Sequence, residues 1–168
     1  MKSLRYTLLI TTMVAIASVV IGAEKKEKMG GKEVAIEHKV MDPAGLQWGD
    51  APPGLPAGAK IAVLAGDPGK KGLFIVRLKV PADYKVPPHT HPTAEMMTVI
   101  SGSFHVGAGG TFDESAGEAM PAGGFTAMPA GMKHYAWSSE ESIIQITSEG
   151  PFVINYVNPT DDPRKAKK

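Results

Sequence analysis

The 168-residue chain is nearly neutral, with 18 lysines and arginines against 17 aspartates and glutamates, and it has no cysteine. This balance leaves no electrostatic footprint for nucleic acid or for an anionic membrane surface. The missing thiols exclude a disulfide framework, a lipid-modified cysteine and a thiolate metal site, so metal ligands must be nitrogen or oxygen.

The first residues carry a targeting pattern. Lys2 and Arg5 give a basic start, residues 6–22 form an uncharged, mostly apolar run, and Ala23 precedes the charged stretch 24–28. A basic start, an apolar middle and a small-residue end make a secretory signal peptide. Residues 1–23 are therefore expected to be removed and the mature protein to be secreted or periplasmic. The alternative is a retained anchor, because the run of about 17 residues sits at the lower limit for crossing a bilayer. Cleavage would remove two basic residues, leaving 16 against 17 acidic ones and a net charge near −1. Residues 24–35 are charged, glycine-containing and short of apolar side chains, and read as a flexible linker. The folded domain is expected over 36–160, followed by a charged, solvated tail at 161–168.

Within the domain, short apolar or alternating runs occupy 60–64, 73–80, 96–100, 103–106, 125–128, 142–147 and 152–157. Each stops at glycine, proline or serine. Runs of this length, rich in β-branched and aromatic residues, predict an all-β sandwich or barrel. Outside the signal peptide no long stretch carries a 3.6-residue period. Ser101-Gly102 and Gly109-Gly110 read as turns between antiparallel neighbours.

Five histidines are present: His38, His89, His91, His105 and His134. In an extended segment the side chains of His89 and His91 point to one face. Glu95 has the same parity, and a bend at Pro92-Thr93 would bring it in from the next strand. His134 ends the segment Pro129-Ala130-Gly131-Met132-Lys133-His134, where proline and glycine make a tight turn that aims the ring across the barrel. Imidazoles with one carboxylate suit Fe, Mn, Ni, Cu or Zn. His38 and His105 read as surface or hydrogen-bonded histidines. Met96, Met97, Met120, Met128 and Met132 read as core filling rather than copper(I) ligands, with Met97 and Val99 sharing the parity of Glu95 and expected near the pocket.

On these residues the chain resembles the cupin superfamily. His89-x-His91-x3-Glu95-x6-Gly102 matches its first motif, and Gly123-x5-Pro129-x-Gly131-x2-His134 its second. Two positions depart from the pattern: Asp83 stands where the first motif opens with glycine, and Ser138 where the second ends with asparagine. The resemblance implies a single-domain jelly-roll β-barrel in which His89, His91, Glu95 and His134 hold one divalent metal ion. Trp48, Gly66-Asp67-Pro68, Gln145 and Gly150-Pro151 are similar to features of exported bacterial cupins. Four protein ligands leave one or two positions for water or substrate. The expected function is a periplasmic metal-dependent enzyme acting on a small oxygen-rich molecule, with dioxygenase the leading class and lyase or isomerase next. The alternative is a non-catalytic cupin module that binds a small molecule or metal. Glu95 and Tyr135 are the candidate catalytic side chains, with Tyr84 and Glu118 as further options. Tyr135 and Trp137 alternate in parity with His134 and either wall the pocket mouth or pack outside the barrel. By analogy with the superfamily, a homodimer is the expected assembly.

Overall fold

The structure, a computed structural model, describes residues 36–165. The expected signal peptide and linker fall outside the described residues. Among the described residues the chain forms β1 (Gly49–Asp50), β2 (Lys60–Ala65), β3 (Gly72–Val80), β4 (Lys85–Thr90), β5 (Glu95–Ser101), β6 (Ser103–Ala108), β7 (Glu118–Pro121), β8 (Phe125–Met128), β9 (His134–Ser138), β10 (Ser142–Gly150) and β11 (Asn155–Tyr156). One sheet has the order β1-β2-β3-β10-β5-β8 and the other β11-β4-β9-β6-β7, with every pairing antiparallel. The all-β expectation holds.

The long central strands show why. Along β3, Phe74, Val76, Leu78 and Val80 are buried while Ile75, Arg77 and Lys79 are less so. Along β10, Ser142, Ile144, Ile146 and Ser148 are buried in the same period of two. One face of each strand enters the core between the sheets, where it meets Met97 and Val99 from β5, Phe104 from β6 and Val86 from β4. The buried serines at the ends of β10 are satisfied locally: the Ser148 hydroxyl donates to the Ala94 carbonyl at 2.6 Å and that of Ser142 to Glu140 at 2.9 Å. Burying them therefore leaves no unpaired polar group.

Three sequence expectations change. Ser101-Gly102 does not join neighbours in one sheet. β5 belongs to the first sheet and β6 to the second, so the dipeptide is a corner where the chain crosses between layers. Gly102 has φ +81°, and a methyl group there would strike Ser142 and the Glu141 carbonyl. Gly102→Ala is therefore expected to lower stability in urea unfolding by about 3 kcal/mol, from a disfavoured φ and a backbone clash together; a loss below about 1 kcal/mol would show that the corner yields. Second, β4, β7 and β9 lack strong runs of their own and emerge only through pairing. Third, the segment from 161 is charged but not simply solvated. Asp162 is buried, Arg164 forms two charge-assisted bonds to it at 2.7 and 2.9 Å, and Arg164 also donates to the Ile154 carbonyl at 3.0 Å. The ion pair holds Pro163–Lys165 as a short 3-10 turn against the domain.

Candidate metal centre

His89 and His134 are register partners on the neighbouring strands β4 and β9. Between Val86 and His89 the register shifts, so three steps on β4 oppose two on β9. The extra residue falls at Pro87-Pro88, where ladder donors are missing, and such a bulge re-aims the side chains beyond it. Val86 and His89, an odd number of positions apart, are thus both buried, and His91 follows on the same face. The chain then leaves the second sheet and enters the first at Glu95. The Thr93 hydroxyl donates to the Glu149 carbonyl at 2.9 Å and, with the Ser148 bond to Ala94, pins this bend to β10. The Gly131 N–H donates to the His91 carbonyl at 2.8 Å, fixing the turn that precedes His134.

These devices bring four side chains to one place. Each of His89, His91, Glu95 and His134 is buried, and one ligand atom from each lies within 4.8 Å of all the others. The Glu95 Oε2 atom is 3.2 Å from His91 Nε2 and 3.3 Å from His134 Nε2. Two donors at right angles on a first-row metal, each about 2.1 Å from it, stand about 3 Å apart. The spacing fits a shared ion.

The protonation pattern fits as well. His89 Nδ1 lies 2.7 Å from the Pro87 carbonyl, His91 Nδ1 2.8 Å from that of Val153, and His134 Nδ1 3.0 Å from that of Met132. A carbonyl only accepts, so each Nδ1 carries the proton and donates. Each Nε2 then offers a lone pair to the centre, as the outer hydrogen bonds of metal-ligating histidines arrange. Although Glu95 Oε2 is within ion-pair distance of two rings, neither contact has hydrogen-bond geometry, and both Glu95 Oε2 and His134 Nε2 are buried without a partner. Lone pairs facing lone pairs in a buried site need positive charge between them. Burial and the neighbouring His134 and His91 rings push His89 down to about 3, favouring the neutral ligand form. Burial works to raise Glu95, whereas the His134 and His91 rings, once they take up a further proton on Nε2, hold the carboxyl down at about 2. A metal ion in their midst acts with the same sign. Among the described residues, this group could hold a metal ion through the side chains that the sequence had singled out.

The other candidates lie elsewhere. Tyr135 is fully buried on the opposite face of β9; its hydroxyl donates to the Asp113 carbonyl at 2.8 Å and its ring packs 5.0 Å from Phe112. It packs outside the barrel with Trp137 and is withdrawn as a catalytic candidate, for the parity that separates it from His134 also turns it away from the cavity. The Tyr84 hydroxyl donates to the Pro56 carbonyl, and Glu118 is exposed on β7. His38 is exposed, and His105 stacks on Trp137 with ring centres 4.7 Å apart. Met97 lines the cavity, whereas Val99 packs in the core.

Sequence reasoning missed Phe152 and Ile154. The Phe152 ring stacks on His91 with centroids 4.1 Å apart and planes 14° apart, while the adjacent Val153 carbonyl orients the same histidine. Residues 152–157 were expected as one strand. Only Asn155–Tyr156 pairs, and the alternation of Phe152, Ile154 and Tyr156 was the available signal that one face turns inward. Together with Pro52, Gly54 and Leu55 these residues border an open cavity of about 800 Å³, counting its mouth, with the four donors in its wall.

A family model for the ChrR cupin-like domain matches residues 37–153. The chain belongs to this cupin family. A search of curated proteins gives no match. Among solved structures, this cupin is similar to the polyketide cyclase RemF from Streptomyces resistomycificus, at 17% identity and a TM-score of 0.61, over 76% of this chain and 90% of that one. It is also similar to a candidate acetylacetone dioxygenase from Methylibium petroleiphilum, at 17% identity and a TM-score of 0.58, over 78% and 88% of the two chains. A third likeness is to an RmlC-like cupin from Shewanella frigidimarina, at 18% identity and a TM-score of 0.52, over 68% and 92%. At such identities the likeness concerns the jelly-roll fold, and the site stands on its own geometry.

Proposed function

We propose that this cupin is an exported, metal-dependent enzyme that acts on a small molecule offering oxygen donors to the ion, with dioxygenase as the reaction class. The observation that carries the reading is the convergence of three Nε2 lone pairs and one unpartnered carboxylate oxygen in the wall of a cavity open to solvent. A bound divalent metal supplies Lewis acidity there and, where it is redox-active, the means of reacting with O2. His89, His91 and His134 would hold it as neutral ligands, and Glu95 would supply the single negative charge. Among the described residues, Glu95 is also the one carboxylate lining the cavity and is the candidate base. The fold likeness to a candidate acetylacetone dioxygenase agrees with this class without fixing a substrate.

The test is reconstitution of the purified protein with Fe(II), Mn(II), Ni(II), Cu(II) and Zn(II) in turn, followed by O2 uptake and substrate loss on a panel of diketones, catechols and hydroxy acids. Uptake with a redox-active metal and none with zinc is the expected result. Silence with every metal would overturn the enzymatic reading. One observation favours a second reading, that of a non-catalytic binding module: besides the four donors no titratable side chain lines the cavity among the described residues. Thermal stabilisation by a small molecule without turnover would favour that module.

A further inference from the structure

Resting on the metal reading above, we infer that the molecule bound in this cavity has an apolar body, an alkyl chain or unfunctionalised ring, and carries its oxygen donors at one end only. The cavity wall divides sharply by chemistry. Its polar side chains are the four that meet at the metal position, and every other lining residue is apolar. The apolar part runs from Pro52 and Ile154 at the mouth to Phe104 and Ile144, which are 1% and 2% exposed in the core. Among the described residues, no hydroxyl, amide or charged side chain lines that part.

Close-packed interiors hold few voids larger than one water molecule. Here about 130 Å³ can take the centre of a water molecule, against about 10–15 Å³ for a single water. Water filling that space would find partners only at the four donors, so an apolar occupant is favoured over water along the rest of the wall. A polyhydroxylated molecule is disfavoured for the same reason. Each hydroxyl drawn inside would exchange water for C–H groups and leave an unmade hydrogen bond. Each buried methylene, by contrast, improves binding about fourfold. The oxygen-rich substrate expected from the ligand set is thereby narrowed: the oxygens belong at the head.

The experiment holds the head constant and varies the body. The protein is loaded with cobalt(II), whose visible bands report uptake, and titrated with acetohydroxamate, hexanohydroxamate, benzohydroxamate and gluconohydroxamate, binding being read by calorimetry. Hexanohydroxamate and benzohydroxamate are expected to bind at least thirtyfold tighter than acetohydroxamate, and gluconohydroxamate no tighter than acetohydroxamate. Ile154→Thr, which places a hydroxyl on a half-buried part of the wall, should shrink the hexano-to-aceto ratio severalfold. If cobalt gives no protein-bound spectrum, the metal reading fails and takes the inference with it. If cobalt binds but the series is flat, or the sugar-derived hydroxamate binds best, the inference alone is overturned.

Discussion

Adding a divalent metal to chelator-treated protein will raise its unfolding midpoint by roughly 10–20 °C, and Glu95→Gln will abolish that rise without lowering the metal-free midpoint at pH 8. A ligand present at a thousand times its dissociation constant stabilises the native state by about 4 kcal/mol. For a domain of this size each kcal/mol moves the midpoint by about 3–5 °C. The amide keeps the shape of the carboxylate but removes the one negative charge from a set otherwise made of neutral imidazoles. The second half of the prediction separates a metal site from a structural ion pair. If Glu95 served to pair with His91 and His134, removing it would leave buried charge uncompensated, at about 3–5 kcal/mol. The structure argues otherwise. Neither contact is a hydrogen bond, and Glu95 Oε2 and His134 Nε2 have no partner. Above the titration range of imidazole, a carboxylate facing two ring lone pairs is a liability to the metal-free fold. A lower metal-free midpoint together with a retained metal response would sink the assignment.

How much of this was legible in the sequence depended on whether the signal was local. The alternation of β3 and β10 is written in consecutive residues, and those strands were expected close to where they lie. β9 was invisible because His134–Ser138 is buried on both faces, with ligand and core on one side and the Tyr135–Trp137 packing on the other, so no apolar alternation survives. Ser101-Gly102 has the chemistry of a turn, and the chain does turn there. Whether a turn returns within a sheet or crosses to another depends on partners far along the chain, Ile143 for Ser101 and Ser138 for Phe104.

The ligand set was legible because parity and the spacing of two motifs constrain it. Part of that success came from cancelling terms: the Pro87-Pro88 bulge makes His89 and His91 face inward relative to Val86, and parity counted from Val86 would have pointed both outward. The cavity's apolar lining was not legible. Pro52, Pro68 and Phe152 are distant in sequence and meet only when the Phe152 N–H donates to the Pro68 carbonyl at 2.7 Å and the Tyr156 hydroxyl to that of Gly54 at 2.8 Å. Tyr135 failed for the converse reason, since adjacency to a ligand along a strand means the opposite face.

Acid will unfold the metal-free protein from well above the carboxylate range. His89 titrates near 6.5 when exposed, and in the fold burial, then His134 and His91, push it down to about 3. Between these values the unfolded chain binds a proton that the native state refuses, so stability falls as pH falls, by about 1.4 kcal/mol per unit and about 5 kcal/mol in full. Glu95 acts only in a lower window: beside protonated rings its folded value near 2 lies below its ordinary 4.5, and that pairing disappears as pH drops toward 2. The carboxyls of Asp50, Asp67, Asp113 and Asp162 are also held below their ordinary value, by hydrogen bonds, and likewise act below about pH 4. The span from pH 6.5 to 4 therefore isolates the buried imidazole. Urea unfolding of chelator-treated protein at pH 7 and pH 4 should differ by about 3 kcal/mol, and His89→Gln should flatten most of that slope. A stability that stays level or rises over this span would mean that the ring accepts its proton inside the fold, and a ring that does so is not held as a neutral ligand. The same proton competes with the ion for His89 Nε2, so metal affinity and metal-free stability should decline together on acidification, and a metal that survives at pH 4 must be held mainly by the other three donors.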